Sequence, residues 1–129
     1  MKPTRGKSGT GEADPVRASV LAARAVLLEK KGREPVVLDV RGLSDVTDYM
    51  LIVTGENVPH IKALCEEVER RLAAAGRRLY RRAGEEASGW VVLDYLEFMI
   101  HIFREDLRSY YALEELWGDA PVVAAGAAD

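Results

Sequence analysis

Residues 88–117 read SGWVVLDYLEFMIHIFREDLRSYYALEELW, and this stretch decides the architecture. Two runs alternate with period two, and a helical segment closes them. In the first run Val91 and Leu93 point one way, while Trp90, Val92 and Asp94 point the other. In the second, Phe98, Ile100 and Ile102 form one row and Met99, His101 and Phe103 the opposite one. The first row of each run is wholly apolar and suits a core. The second mixes Trp, Met and Phe with Asp and His, the composition of a half-exposed sheet face that meets another molecule.

Downstream of the second run, a helix is predicted from about Glu105, with Leu107, Tyr110, Leu113 and Trp117 on one side. Gly118 and Pro121 stop it, and the Ala/Gly-rich residues 121–129 read as a flexible tail. Upstream, Leu79 to Arg82 reads as a brief strand. The clearest helix precedes it: Asn57 is its N-cap, Ile61, Leu64, Cys65, Val68, Leu72 and Ala75 repeat at three and four, and Gly76 ends it. Two further strands, Val36 to Val40 and Tyr49 to Thr54, flank a polar turn from Gly42 to Thr47. A first helix starts at Asp14 and Pro15, an N-cap followed by proline where its missing N–H costs nothing, and runs to about Lys31. Residues 1–13, rich in Gly, Lys, Ser and Thr, read as a disordered tail.

The order is therefore α/β, a single domain over residues 14–120 with a mixed sheet of about five strands and about three helices. Helices gathered on one sheet face would leave the other, with Trp90, Asp94 and His101, open to a partner.

A chain of 129 residues, 48% of them hydrophobic, has the apolar material for one core. The formal net charge of −3 argues against attachment to nucleic acid mainly through phosphates and favours a basic partner. The lone Cys65 sits at an apolar helical position and reads as a small buried hydrophobe. No apolar run approaches the roughly 18 residues of a membrane span, so a reducing, cytoplasmic setting is expected.

Catalytic chemistry finds little footing. Gly6-Lys7-Ser8 resembles the end of a phosphate-binding loop, but the motif needs a glycine where Met1 stands. His60 and His101 sit in no ligand motif, and no metal or other cofactor is expected. Ser44, Ser88 and Ser109 lack the setting of a nucleophile. Asp45, Asp48, Asp94 and Glu97 lie near strand ends, where carboxylates are turn formers or solvated charges more often than acid/base pairs. The run Arg77, Arg78, Arg81 and Arg82 reads as edge protection, with a contact to RNA phosphate as its second reading. Tyr110, Tyr111 and Trp117 read as core, while Trp90 and Tyr95 read equally as core or partner anchor.

One set of motifs falls in a recognisable order: Leu38-Asp39-Val40, Ser44-Asp45-Val46-Thr47-Asp48-Tyr49, Thr54-Gly55, Trp90 to Tyr95, His101 to Phe103, and Arg108 to Trp117. Together they resemble the ribosomal silencing factor family, RsfS, also called Iojap. The resemblance spans about Asp14 to Ala120. It implies a nucleotidyltransferase-like α/β fold without catalysis, and the residues agree. Transferases of that fold hold magnesium with a second carboxylate two residues after the first, and here Asp39 is followed by Val40 and Arg41.

The resemblance further implies binding to the large ribosomal subunit at ribosomal protein L-fourteen, occlusion of small-subunit joining, and repression of translation when nutrients are scarce. Relatives can be homodimers, and organellar ones are linked to large-subunit assembly, which is the alternative role. The contact face carries over to Trp90, Asp94, Tyr95 and Glu97, with Met99 and His101 as neighbours and Asp48 beside them. The chain departs from the family at Asn57, where Ser is frequent, and at Leu96-Glu97-Phe98, where a Gly-Asp turn is usual. The rival class is a remnant magnesium-dependent nucleotidyltransferase using Asp39, Asp45 and Asp48.

Overall fold

The structure, a computed structural model, describes residues 14–126. The predicted N-terminal tail, residues 1–13, lies outside them, as do residues 127–129. Helix α1 (Pro15–Glu29) begins as its sequence dictates: the Asp14 carboxylate accepts the Arg17 N–H at 3.0 Å, and Pro15 opens the first turn. Strands β1 (Arg33–Asp39) and β2 (Tyr49–Gly55) follow, paired antiparallel. Helix α2 (Val58–Ala74) is capped by Asn57, whose side-chain oxygen accepts the His60 N–H at 2.9 Å. It buries Ile61, Leu64, Cys65, Val68 and Leu72. Its first turn packs directly on the end of β2, where a Cβ on Gly55 would lie 2.6 Å from Ile61.

The rest of the chain supplies β3 (Arg81–Glu85), β4 (Trp90–Asp94), β5 (Phe98–Arg104), α3 (Glu105–Tyr111), the single turn α4 (Leu113–Leu116) and β6 (Val122–Ala124). The sheet order is β3-β4-β5-β2-β1-β6. At its centre β2 and β5 run parallel, in register from Tyr49 opposite Phe98 to Gly55 opposite Arg104. All other neighbours are antiparallel. Each residue of β2 is buried, as a central strand covered on both faces requires.

The alternation read from β4 and β5 holds. Val91, Leu93, Phe98, Ile100 and Ile102 join α1 and α2 in one core, while Met99, Phe103 and Trp90 belong to a second cluster on the opposite face. That second cluster corrects the expectation of an open face. Leu107, Leu113 and Trp117 pack there against Leu38, Met50, Ile52 and Phe103, because the chain leaving β5 crosses to the side opposite α1 and α2.

Three further expectations change. The last helix breaks at Ala112, whose φ of 48° lies in the left-handed region, so Tyr110 is 77% exposed rather than core. The strand expected at Leu79 to Arg82 forms at Arg81–Glu85, with Gly84 at φ 82° where a Cβ would strike the Trp90 carbonyl oxygen. Pairing with β4 places it, and a local reading of Ala83-Gly84-Glu85 as strand had no propensity to support it. The tail expected from residue 121 instead contributes β6, which covers the outer edge of β1. Buried Arg24 holds this segment, donating from Nε to the Pro35 carbonyl at 2.8 Å and from Nη2 to the Gly126 carbonyl.

Candidate partner-binding face

Trp90 sits where β4 meets α3. Its ring stacks on Phe103 at 4.9 Å between centroids and meets Tyr111 at 4.5 Å. The indole N–H donates to His101 Nδ1 at 3.2 Å, so the neutral imidazole carries its proton on Nε2. That Nε2 is buried and has no hydrogen-bond partner among the described residues. Burial of His101, only 7% exposed, pushes its pKa down to about 4. Around Trp90 the face remains open as a groove of about 400 Å³ lined by Ala83, Ser88, Val92, Leu107 and Tyr111. Met99, half-buried, lies on the same face beside His101.

The other residues of the expected face divide. Tyr95 is buried in the α1–α2 core, stacked on Phe98 at 5.0 Å, and burial pushes its hydroxyl up to about 12. It therefore lies on the side opposite Trp90. Asp94 is a turn former: Oδ1 accepts the Leu96 N–H at 2.8 Å, and Oδ2 lies 3.9 Å from Arg81. Glu97 accepts from Arg77 at 2.8 Å, and its backbone carbonyl accepts the N–H of buried Asp48 at 3.0 Å. Trp90, Met99 and His101 thus form one face with Asp94 at its end, while the Glu97 carboxylate pairs with Arg77, which reaches Ser19 and the Pro15 carbonyl of α1, and Asp48 is buried.

The carboxylates of the enzymatic alternative do not assemble. Arg41 grips Asp39 through Nε at 2.9 Å and Nη2 at 2.7 Å. Burial opposes ionisation of Asp39, but these hydrogen bonds and the guanidinium charge outweigh it and hold the carboxyl below its ordinary range. Asp45 is exposed in the loop, and among the described residues no group of three or more His, Cys, Asp or Glu converges as a metal site. His60 bridges helices instead, accepting the Glu56 N–H on Nδ1 at 2.9 Å while Nε2 meets the Lys30 carbonyl at 2.9 Å. The basic run is largely engaged: Arg77 with Glu97 and Ser19, Arg82 with Glu69 and Glu86. Burial pushes the thiol of Cys65 up to about 12, as expected of an inert core residue.

Residues 13–129 match the family model described as ribosomal silencing factor during starvation. The chain belongs to that family. A ribosomal silencing factor of Halalkalibacterium halodurans is 36% identical over 95 residues, covering 74% of this chain and 81% of the relative. The crystal structure of a Chromobacterium violaceum protein superposes with a TM-score of 0.78 at 30% identity, covering 90% of this chain and 98% of that one. A mouse protein named for mitochondrial assembly of the ribosomal large subunit is 25% identical over 96 residues, 72% of this chain and 42% of its own length.

Within this silencing-factor fold, sequence reasoning missed the residue that sets the opposite face in place. Arg108, nearly buried, donates to Glu114 from Nε at 3.0 Å and Nη2 at 2.9 Å, to Thr54 Oγ1 at 2.9 Å, and to the carbonyls of Arg33 and Glu34 at 3.3 and 2.9 Å. Every guanidinium proton is used. The network ties α3 and α4 to the ends of β1 and β2 and so holds Tyr111 and Leu107 beside Trp90. No local signal announces it, since Arg108 and Glu114 meet only because the helix breaks between them at Ala112. In the β4–β5 turn Leu96 has a φ of 70°, the region glycine occupies freely.

Proposed function

We propose that this protein docks on the large ribosomal subunit through the Trp90 face, at ribosomal protein L-fourteen, and represses translation in the cytoplasm by occluding the small subunit when nutrients are scarce. The observation that carries this reading is half-buried Trp90, held between buried Phe103 and exposed Tyr111 beside an open groove on a sheet face that is largely packed. A central aromatic anchor of this kind dominates interface energy. Family membership supplies the ribosomal partner. Trp90 and Met99 touch the partner, His101 fixes the indole, and Asp94, Glu97 and Asp48 shape the acidic end of the contact. Tyr95 acts from the opposite core, seating the hairpin. Occlusion needs no turnover: an interface of about 800 Å² per partner suffices for specific binding, and a bound domain blocks docking by its volume.

Co-sedimentation with purified large subunits, followed by addition of small subunits, tests this directly. Wild type is expected to bind and to lower the joined fraction, and Trp90→Ala to do neither while keeping its fold by circular dichroism. Binding by wild type without any effect on joining would favour the assembly role, which the name of the mouse relative supports. A homodimer through the same face would compete with the subunit, and light scattering at the binding concentration measures it.

A further inference from the structure

One end of the sheet gathers three segments: the β1–β2 loop, the β4–β5 turn and the chain after α4. The Asp48 N–H donates to the Glu97 carbonyl at 3.0 Å, and the Asp39 N–H to the Pro121 carbonyl at 2.9 Å, so backbone hydrogen bonds tie the segments side by side. Apolar side chains are unusually open here. Leu116 and Val46 are each 70% exposed, Leu96 53% and Leu43 49%. Leu43, Leu116, Trp117 and Gly118 line a groove of about 280 Å³ whose remaining lining is Glu115 and Asp119.

Charge selects the occupant. Glu115, Asp119 and the exposed Asp45 have no ion-pair partner among the described residues, and of the cations nearby Arg41 is committed to Asp39 and Arg77 to Glu97. An apolar floor with an acidic rim repels phosphate and suits a polypeptide carrying an aliphatic side chain among Lys or Arg. We propose that this rim is a second docking contact, which takes a basic polypeptide segment of the ribosomal partner with an aliphatic anchor seated between Leu43 and Leu116. The inference rests on the large subunit being that partner, and it adds a contact separate from the Trp90 groove.

Full-length wild type, Leu116→Ser and the double variant Glu115→Lys/Asp119→Lys are compared by co-sedimentation with purified large subunits across a salt series. All three positions are exposed, so thermal midpoints should coincide. Each rim variant is expected to bind about tenfold more weakly, and the charge reversal to flatten the salt dependence. Wild-type affinity in both variants would overturn the rim contact and leave the Trp90 assignment standing. Tighter binding by the lysine variant would overturn it in favour of RNA phosphate. Failure of wild type itself to bind would overturn the subunit reading and this contact with it.

Discussion

The two faces of the sheet are built on different principles. Under α1 and α2 the sheet side chains are aliphatic or aromatic and wholly enclosed: Val37, Leu51, Val53, Val91, Leu93, Ile100 and Ile102 have no exposure at all. Under α3 and α4 the buried set includes His101, Thr54 and Arg108, each placed by polar contacts, and the cover stops short of Trp90, Val92 and Met99. The first face is made for stability alone, since dry packing needs only volume and shape. The second spends buried area on orienting groups, and a face so arranged fixes geometry for a partner.

Truncation on the dry face should have the largest effect. Leu51→Ala is expected to lower unfolding free energy by about 4 kcal/mol in denaturant titration, at the upper part of the range for a fully enclosed leucine. Its neighbour Met50, on the opposite face and 8% exposed, should lose only about 2 kcal/mol on the same change. Equal losses would erase the distinction between the faces.

The second face also carries a pH dependence on the acid side of neutrality, where the raised Tyr95 and Cys65 of the first face do not titrate. His101 stays neutral in the folded protein down to about pH 4, whereas the unfolded chain takes up the proton near the ordinary value of 6.5. The unfolded state thus binds more protons between those limits. Stability is full above about pH 7 and falls by up to about 3 kcal/mol as pH drops towards 4. Asp14 and Asp39, whose pKa values are lowered despite burial, add losses at the acid end, so the readout is the difference between wild type and His101→Gln, which keeps an acceptor for the Trp90 N–H. Parallel stability curves for the two proteins would refute the assignment.

Binding should respond in the reverse pattern. Trp90→Ala is expected to weaken subunit binding by about 2 kcal/mol. Leu51→Ala protein that remains folded should bind as wild type does. Loss of binding in both would show that the face reports general integrity and carries no anchor.

What could be read in advance follows the same division. Helix starts at Asp14 and Asn57, the strands β1, β2, β4 and β5 and both rows of β4 and β5 were legible, because caps and periodicity are local physics. The covering of the second face was not. It depends on Ala112 adopting a left-handed conformation and on Arg108 reaching carbonyls 74 and 75 residues away, neither of which leaves a local signal. For the site, Trp90 and His101 fall on one face as the alternation predicts, but Tyr95 continues the row of Val91 and Leu93 just past β4, so its ring enters the other core, and period two already argued against setting it beside Trp90.

The smallest effect separates stability from contact at a single residue. Leu96 stands in the β4–β5 turn at φ 70°, held by its N–H to Asp94 Oδ1, and the left-handed backbone costs a side-chain-bearing residue about 1–2 kcal/mol. Glycine would remove that strain and return about 0.5–1 kcal/mol of it through the greater freedom of the unfolded chain. Leu96→Gly should therefore gain roughly 0.5 kcal/mol in stability. A strained, half-exposed leucine in a turn that glycine would fill more easily makes sense as a contact retained against stability. On that reading Leu96→Gly is more stable and binds large subunits more weakly, by about 1 kcal/mol. A variant that gains stability at unchanged affinity would assign the strain to the turn alone and confine the contact to Trp90 and the Leu43–Leu116 groove.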